Sequence, residues 1–257
     1  MIHSTAQIHP EAKLAADVEV VPWCIVGPHV KIGKGTVLKS HVVVEGWTEL
    51  GEKNTVFPFT VLGAVPQDLK YKGEETYVVI GNGNTIREGV TINLGTAQGG
   101  NYTRVGDGNL LMSYVHLGHD CQIGNHCVIA TGTGLSGHVT VEDFAIIGGM
   151  VGAAQFIRVG AHSYIGGQAG LPKDVPPYTI IEGSRPAIIR GVNIVGLRRR
   201  GVSTETIQKL NESVKLWVRP EVNKEQCLLE IESQYGDVAE VQRFLSFIRQ
   251  SECGVIK

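Results

Sequence analysis

The chain has 257 residues, 33 of them glycine, with 6% aromatic residues and a formal net charge of −2. This near-neutral balance gives no reason to expect binding to nucleic acid or to a membrane surface. The first ten residues, MIHSTAQIHP, contain neither a basic segment nor an apolar stretch, so we expect no secretory signal. The most apolar run, residues 144–154, is short and broken by glycine, which argues against a membrane-spanning helix.

Aliphatic residues recur at every sixth position along most of the chain. One series begins at Ile2 and reaches Leu62, and another runs from Val105 to Leu171 with only Ala153 lacking a large aliphatic group. A helix would spread such a series around its surface, and a single strand would alternate every second residue. A fixed hexad instead predicts a short strand and a turn repeated as an all-β solenoid, the parallel β-helix.

The second and fifth positions of the hexad carry small residues. Glycine often occupies the second position, which we interpret as a corner that needs unusual backbone dihedrals. The fifth position is small or branched, so it fills the narrow interior beside the large residue at position one. Three cysteines, Cys24, Cys121 and Cys127, occupy this fifth position. We expect them to be buried thiols in a reducing cytoplasm, not ligands or disulfides.

Two stretches interrupt the hexads. Residues 64–79 and 94–104 are polar or rich in glycine, and we expect them to be loops that leave the solenoid wall. Three prolines between positions 172 and 177 end the repeats. The sequence therefore predicts a solenoid domain over residues 1–190.

The remaining residues, 191–257, are expected to form a helical tail. From Ser203 the apolar spacing becomes helical, and the pairs Asn223–Gln226 and Asp237–Glu240 each have the pattern of a capping box that opens a further helix. The sequence thus predicts a carboxy-terminal segment of three α-helices. The last of them would bury one apolar face, formed by Val241, Phe244, Leu245 and Ile248.

Six separated segments carry a resemblance to a known family. They are PQDLKYKGE at 66–74, IREGVTIN at 86–93, NLLMSYVHLGHDCQIGN at 109–125, LSGHVTVEDFAIIGG at 135–149, DVPPY at 174–178 and GVNIVGLRRRG at 191–201. Together with the helical tail they resemble, over nearly the whole chain, the acyl-(acyl carrier protein)–UDP-N-acetylglucosamine O-acyltransferases of the hexapeptide-repeat acyltransferase superfamily. Members of that family perform the first step of lipid A biosynthesis.

The resemblance implies a left-handed parallel β-helix with three hexads in each coil, assembled as a homotrimer with active sites between neighbouring subunits. It implies transfer of an (R)-3-hydroxyacyl group from acyl carrier protein to the 3-hydroxyl of UDP-N-acetylglucosamine, in the cytoplasm and without a cofactor or metal. The left hand does not follow from general rules, since parallel crossovers are overwhelmingly right-handed.

With three hexads per coil, positions 18 residues apart stack on neighbouring coils. His119, Gly137 and Gln155 then form one column, and Asp120 and His138 lie in the adjacent column. His119 aligns with the catalytic histidine of the family, and a neutral imidazole can take the proton of a sugar hydroxyl as that hydroxyl attacks a thioester. Gly137, one coil away, is the residue we expect to offer its backbone N–H to the developing oxyanion.

Asp120 is the carboxylate nearest to His119, and we expect it to fix the imidazole tautomer. Neighbouring residues of a strand point to opposite faces, so only a bulge or a corner would bring these two side chains together. The resemblance also places His116, His138 and Gln155 against the substrates.

Two further segments are expected to contribute to substrate binding. The resemblance implies that the loop carrying Asp68 and Lys70 reaches towards the active site to contact the sugar or the acyl hydroxyl. Asn193 and Arg199 match positions that the family uses for the nucleotide, and a guanidinium fits diphosphate geometry well. The arginine run 198–200 has two competing interpretations, a solvated cap of the following helix or a docking patch for the acidic carrier protein.

Three departures from the family pattern leave the acceptor open. Ala154 stands where relatives often carry histidine, Val195 stands where an acidic residue is common, and one extra residue lies within 184–190. An acceptor with a 3-amino group, which would give an amide product, is therefore a competing hypothesis.

Three functions of a different kind also compete with this one. A γ-type carbonic anhydrase would hold zinc with clustered histidines, and His119 and His138 superficially suit it. The later N-acyltransferase of the same pathway carries an additional amino-terminal domain, whereas the hexads here begin at Ile2. An inactive scaffold of the same fold would have no need to retain His119.

Overall fold

The protein, described by a computed structural model over residues 1–220 and 222–257, is built mainly from two-residue strands. In the first half they are β1 Gln7–Ile8, β2 Lys13–Leu14, β3 Glu19–Val20, β4 Ile25–Val26, β5 Lys31–Ile32, β6 Val37–Leu38, β7 Val43–Val44, β8 Trp47–Leu50, β9 Thr55–Val56, β10 Val61–Ala64, β11 Tyr77–Ile80, β12 Thr85–Ile86 and β13 Thr91–Asn93. The second half contains β14 Tyr102–Val105, β15 Leu110–Leu111, β16 His116–Leu117, β17 Gln122–Ile123, β18 Val128–Ile129, β19 Gly134–Leu135, β20 Thr140–Val141, β21 Ile146–Ile147, β22 Gly152–Ala153, β23 Arg158–Val159, β24 Tyr164–Ile165, β25 Gly170–Leu171, β26 Thr179–Glu182 and β27 Ile188–Val192.

These strands form three sheets that are the faces of a prism, with parallel pairing throughout except between β26 and β27, which are antiparallel. Sheet 1 contains β1 and every third strand to β25, sheet 2 runs likewise from β2 to β23, and sheet 3 runs from β3 to β24 and continues into β26 and β27. Partner residues are usually 18 positions apart, as where Thr140 pairs with Gln122 on one side and Arg158 on the other. This spacing confirms the solenoid with three hexads per coil. We call the edges of the prism corner 1–2, corner 2–3 and corner 3–1, after the sheets that meet there.

The interior is filled as the hexad pattern predicts. Leu38 and Leu117 at the first position and Cys24, Cys121 and Cys127 at the fifth are fully buried. The cysteines carry free thiols, and burial raises the pKa of Cys121 and of Cys127 to about 12. The prediction that these cysteines are small core residues is confirmed.

Left-handed backbone conformations occur mainly at the fourth hexad position, and our interpretation of the second-position glycines is wrong except at Gly63, whose φ is 83°. Gly33 and Gly106 have ordinary φ values, but a Cβ on Gly33 would lie 2.7 Å from the backbone of Gly51, and one on Gly106 would lie 2.6 Å from the carbonyl of Gly124. Close approach of successive coils therefore requires these glycines. The side chains that tolerate positive φ at the fourth position include Trp23, His41, Phe59, Asp120, His126, His138, Phe144, Phe156 and His162.

Both interruptions of the hexads are loops, but they are shorter than predicted. The sequence predicts an irregular stretch over residues 64–79, yet β11 occupies Tyr77–Ile80 and pairs with β8 and β14. Residues 94–104 likewise end in β14, after a 3-10 turn at Ala97–Gly99. The first insertion keeps Leu62 and Ile80 in one hexad register, whereas the second shifts Val105 by one position relative to Ile92. Each insertion ends inside a strand, so its polar or glycine-rich composition hides where that strand begins.

The carboxy-terminal segment contains four helices within the described residues, not the predicted three. They are α1 Ile194–Arg199, α2 Thr204–Trp217, α3 Lys224–Tyr235 and α4 Ala239–Arg249. The unpredicted α1 forms because the Asn193 side chain accepts the N–H of Gly196 and so caps the helix.

Helices α3 and α4 begin differently from one another. Asn223 caps α3, although its side chain accepts from Glu225 N–H and not from Gln226. The capping box predicted at Asp237 is wrong, because α4 starts after Val238, which has no side-chain cap. The predicted apolar face of α4 is fully buried. No helix among residues 1–220 and 222–257 has the length and apolar character needed to cross a membrane.

Candidate active site

His119 and Asp120 form a buried pair at corner 1–2. His119 Nδ1 lies 2.8 Å from Asp120 Oδ2, and only 7% of His119 and 3% of Asp120 are exposed. Asp120 has a φ of 62°, so the chain turns between the two residues and their side chains meet on one side. An ionised carboxylate only accepts hydrogen bonds, so the shared proton lies on Nδ1 and leaves Nε2 a free lone pair. This corner therefore brings the side chains of His119 and Asp120 together, as the sequence analysis required of a bulge or a corner.

Asp120 is also held by the loop between β13 and β14. Thr96 donates to it twice, from its N–H to Oδ1 at 2.8 Å and from Oγ1 to Oδ2 at 2.7 Å. The N–H of Asp120 itself donates to Thr103 Oγ1 at 2.8 Å. A side chain on Gly99 would collide with the Asp120 carboxylate, so the loop can pack against Asp120 only because residue 99 is glycine. Sequence reasoning missed Thr96 and Gly99, because the interrupted hexads give this loop no register.

His138 shares the same carboxylate. Its Nε2 lies 3.6 Å from Asp120 Oδ2, its ring meets that of His119 edge-on at 5.1 Å, and Phe156 stacks on its other side at 4.4 Å. Burial lowers the pKa of His138, and the carboxylates of Asp120 and Asp68 oppose that shift. His138 is therefore held in a fixed orientation next to the pair and favours its neutral form.

Gly137 lies beneath the His119 ring. A Cβ at this position would lie 2.5 Å from Cε1 and 2.6 Å from Nε2 of His119. The Gly137 N–H donates to no acceptor among the residues that the structure describes. Gln155, one coil further along the column, is exposed. Outside the two insertions, third-position N–H groups of the described coils donate to no backbone carbonyl, so proline is tolerated in the same position at Pro10, Pro22, Pro28 and Pro58.

His116 lies on sheet 1 beside this corner, at the start of a strip of bare backbone. Its Nδ1 is 2.7 Å from Thr91 Oγ1, and burial lowers the pKa of its imidazole. Gly134, Gly152 and Gly170 follow it on successive coils of sheet 1. The first two glycines face open space. The outer wall of sheet 1 is therefore free of side chains along this column.

The loop that carries Asp68 and Lys70 is anchored next to the site. Asn93 Nδ2 donates to the carbonyls of Ala64 and Val65, at 3.4 and 3.2 Å, where this loop leaves the sheet. Within the loop, the Lys70 N–H donates to Asp68 Oδ1 at 3.0 Å, and the Lys70 side chain is exposed. Asp68 thus faces His138 closely enough to affect its pKa.

Asn193 and Arg199 lie at corner 2–3, separated from His119 by the width of sheet 2. Asn193 Nδ2 donates to the carbonyl of His162 at 2.9 Å, and its Oδ1 accepts from Gly196 N–H at 3.1 Å. Arg199 is exposed at the end of α1 and, with Asn193 and His162, lines a cavity of about 270 Å³. A single chain therefore divides the predicted site residues between two corners. Those at or beside corner 1–2 are Asp68, His116, His119, Asp120, Gly137, His138 and Gln155.

We expect the His162 ring in this second cavity to make folding stability depend on pH. It stacks between Phe144 and Tyr178, and burial lowers its pKa, assisted by Arg200 and Arg243 and opposed by Asp143 and Glu240. The unfolded chain therefore binds more protons just below the ordinary value of 6.5, and stability falls as pH drops through the lowered folded value.

We expect His162→Phe, which keeps the stack and removes the titrating group, to reduce this dependence. The measurement is the difference in Tm between about pH 7.5 and about pH 5 for the variant and the parent chain. An unchanged difference would show that His162 contributes nothing to acid sensitivity.

Comparisons with known proteins give one consistent result. Residues 174–256 match the family model described as UDP N-acetylglucosamine O-acyltransferase, domain 2, and residues 102–137 match the bacterial transferase hexapeptide model. LpxA from Acinetobacter baumannii is 44% identical, with a TM-score of 0.95, and the match covers 100% of this chain and 99% of that one. The chain belongs to the UDP-N-acetylglucosamine O-acyltransferase family.

Two more distant members of the family agree over their full lengths. LpxA from Bacteroides fragilis, a UDP-N-acetylglucosamine acyltransferase, is 39% identical with a TM-score of 0.95, and the Arabidopsis UDP-N-acetylglucosamine acyltransferase is 32% identical with a TM-score of 0.87. Both matches cover 100% of each chain. The protein is therefore an acyltransferase of this family, and the carbonic anhydrase hypothesis is wrong.

Proposed function

We propose that this acyltransferase moves an (R)-3-hydroxyacyl group from acyl carrier protein to the 3-hydroxyl of UDP-N-acetylglucosamine, the first step of lipid A biosynthesis. The observation that carries the proposal is the buried His119–Asp120 pair, with Nδ1 and Oδ2 2.8 Å apart and Nε2 facing Gly137. Such a pair provides a general base whose tautomer is fixed, which activation of a sugar hydroxyl requires. The free thiols favour a reducing cytoplasm as the place of reaction.

The mechanism is an acyl transfer in two steps. His119 Nε2 takes the proton of the sugar hydroxyl while the hydroxyl oxygen attacks the thioester carbonyl, and Asp120 stabilises the resulting imidazolium. The Gly137 N–H, which has no acceptor among the described residues, donates to the oxyanion of the tetrahedral intermediate. The intermediate then collapses, the carbon–sulfur bond breaks, and the imidazolium returns its proton to the leaving thiolate. The products are the ester and free carrier protein.

The nucleotide is proposed to lie between two subunits of a homotrimer. Asn193 and Arg199 are at corner 2–3 and His119 is at corner 1–2, at opposite edges of sheet 2. If sheet 2 of each subunit faces a threefold axis, corner 1–2 of one subunit meets corner 2–3 of the next, and the two halves of the site combine. Half-buried aromatic residues on the outer face of sheet 2 favour such packing, namely Trp47, Tyr77 and Tyr102.

The acyl chain is proposed to lie on sheet 1, along the bare strip that begins at His116. Gly134, Gly152 and Gly170 lie on the next three coils, so the strip is about 14 Å long at the spacing of parallel strands. A Cβ on Gly170 would lie 3.0 Å from the carbonyl of Ser184, where the loop between β26 and β27 closes the strip. Such a smooth groove with an end favours acyl chains of one length.

The acceptor is tested by product analysis. We expect purified enzyme, acyl carrier proteins loaded with (R)-3-hydroxyacyl chains of several lengths, and UDP-N-acetylglucosamine to give an ester identified by mass spectrometry and its release in mild base. The parallel reaction uses the 3-amino analogue of the sugar nucleotide, because Ala154 and Val195 depart from the family pattern near the acceptor. Preferential formation of the base-stable amide would replace the proposed acceptor, and no product with either sugar would overturn the proposal.

A further inference from the structure

The side chains of His119, Asp120 and His138 surround one point at corner 1–2. One nitrogen or oxygen atom from each lies within 4.8 Å of the others. His119 Nδ1 and His138 Nε2 lie 2.8 and 3.6 Å from the same oxygen, Asp120 Oδ2. Two imidazoles and one carboxylate are the ligand types that zinc uses at sites with an open fourth position.

We propose that this cluster binds a zinc ion reversibly when substrates are absent. Ligand bonds of about 2.0–2.1 Å place tetrahedral zinc ligands about 3.3 Å apart. The two separations from Asp120 Oδ2 lie on either side of that value. His138, whose side chain is 22% exposed, is the ligand with room to adjust. The proposal concerns binding to residues of a single chain and requires no partner subunit.

Neighbouring residues hold the three side chains of this cluster in place, as residues around the ligands of a metal site do. Thr96 donates to both oxygens of Asp120, and the Phe156 ring stacks on His138 at 4.4 Å. Partners of this kind hold ligands in orientation and raise metal affinity. His119 and Asp120 are buried, which reduces competition from water on one side of the ion.

Bound zinc would inhibit the enzyme through the tautomer of His119. In the free enzyme Nδ1 carries the proton and Nε2 has the lone pair, because Nδ1 lies against a carboxylate. Zinc on Nδ1 takes up the lone pair of that nitrogen, so the single proton of the neutral ring must move from Nδ1 to Nε2, by exchange with water. A ring protonated at Nε2 cannot accept the proton of the sugar hydroxyl. This consequence for activity rests on the proposed function, whereas zinc binding itself does not.

Titration of the full-length, untagged, metal-free protein with zinc chloride tests the binding. We expect one zinc per chain, measured against a chromophoric chelator, and visible bands of tetrahedral coordination when cobalt replaces zinc. His138→Phe, which keeps the stack on Phe156, and Asp120→Asn should each lower the affinity at least about tenfold. The matched control is His126→Ala, which removes a histidine from corner 2–3 and should leave the affinity unchanged.

Binding and catalysis fail separately in this design. Absence of saturable zinc binding, or affinity equal in His138→Phe and the parent chain, overturns the zinc site and leaves acyl transfer intact. If the metal-free parent enzyme transfers no acyl group to the sugar nucleotide, the proposed function is overturned, but the conclusion about zinc binding stands. We expect stoichiometric zinc to reduce acyl transfer at least about tenfold and a chelator to restore it.

Discussion

His119→Ala lowers kcat by at least about a hundredfold, the loss expected when a positioned general base is removed. The Nε2 of this residue lies against Gly137, and the third position of the next two coils holds Gly137 and Gln155, neither of which can replace an imidazole. Removal of the ring leaves Asp120 bonded to Thr96, so the corner should stay folded. The measurement is steady-state acyl transfer at saturating concentrations of both substrates, with the oligomeric mass determined in parallel.

Two variants separate loss of the base from general damage. Asp120→Asn keeps the shape of the side chain but removes the charge that holds the proton on Nδ1, so we expect a large loss of kcat with a smaller change in KM. His126→Ala removes a histidine that stacks on Phe144 at corner 2–3 and should retain near-normal turnover. Near-normal kcat in His119→Ala would remove this residue from the mechanism.

Mixed trimers of two impaired chains recover about one third of normal activity if the site joins two subunits. One chain carries His119→Ala and the other Arg199→Ala, so each keeps one intact corner. In any closed ring that contains both chains, one junction of three combines the intact corner 1–2 with the intact corner 2–3. Co-expression with two different tags and purification on both isolates such rings, and acyl transfer at low sugar nucleotide concentration measures the recovery.

The controls for this experiment use neighbouring residues. Mixed rings of His119→Ala with Asp120→Asn have both defects at corner 1–2 and should stay inactive. Arg198→Ala alone should retain near-normal activity, because Arg198 does not line the cavity at corner 2–3. Activity as low in the mixed rings as in each parent would show that the two corners do not share a site.

The solenoid itself was predictable because its interior pattern repeats in every hexad outside the two insertions, with Ala153 the one small residue in the Val105–Leu171 series. A large residue at position one and a small one at position five specify the packing locally, so successive hexads from Ile2 to Leu62 can be placed by counting. The loops were less predictable: Ile80 stays in the hexad register across the first insertion, but the polar residues before it hide the start of the strand at Tyr77–Ile80. Helix α1 was missed because Asn193 serves as a cap in a segment with no helical period.

The candidate site was predictable in its columns and not in its loop contacts. Eighteen-residue stacking placed Gly137 against His119, and the structure has them in contact. The orientation of Asp120 depended on a backbone angle that no side-chain pattern encodes. Thr96 reaches Asp120 from 24 positions away across an insertion, so neither hexad counting nor local motifs indicate it.

The positive φ at the fourth hexad position determines where on the prism a catalytic pair of side chains can form. Because the same backbone angle recurs coil after coil, any third and fourth residues of a hexad can present an imidazole beside a carboxylate. Shifting such a pair by 18 residues along the prism would carry its internal geometry unchanged. What singles out one level is the irregular insertion that supplies Thr96 and the bare backbone of Gly137 on the next level. The repeat provides many equivalent positions for a histidine–aspartate pair, and the irregular loop together with Gly137 makes one of them suitable for catalysis.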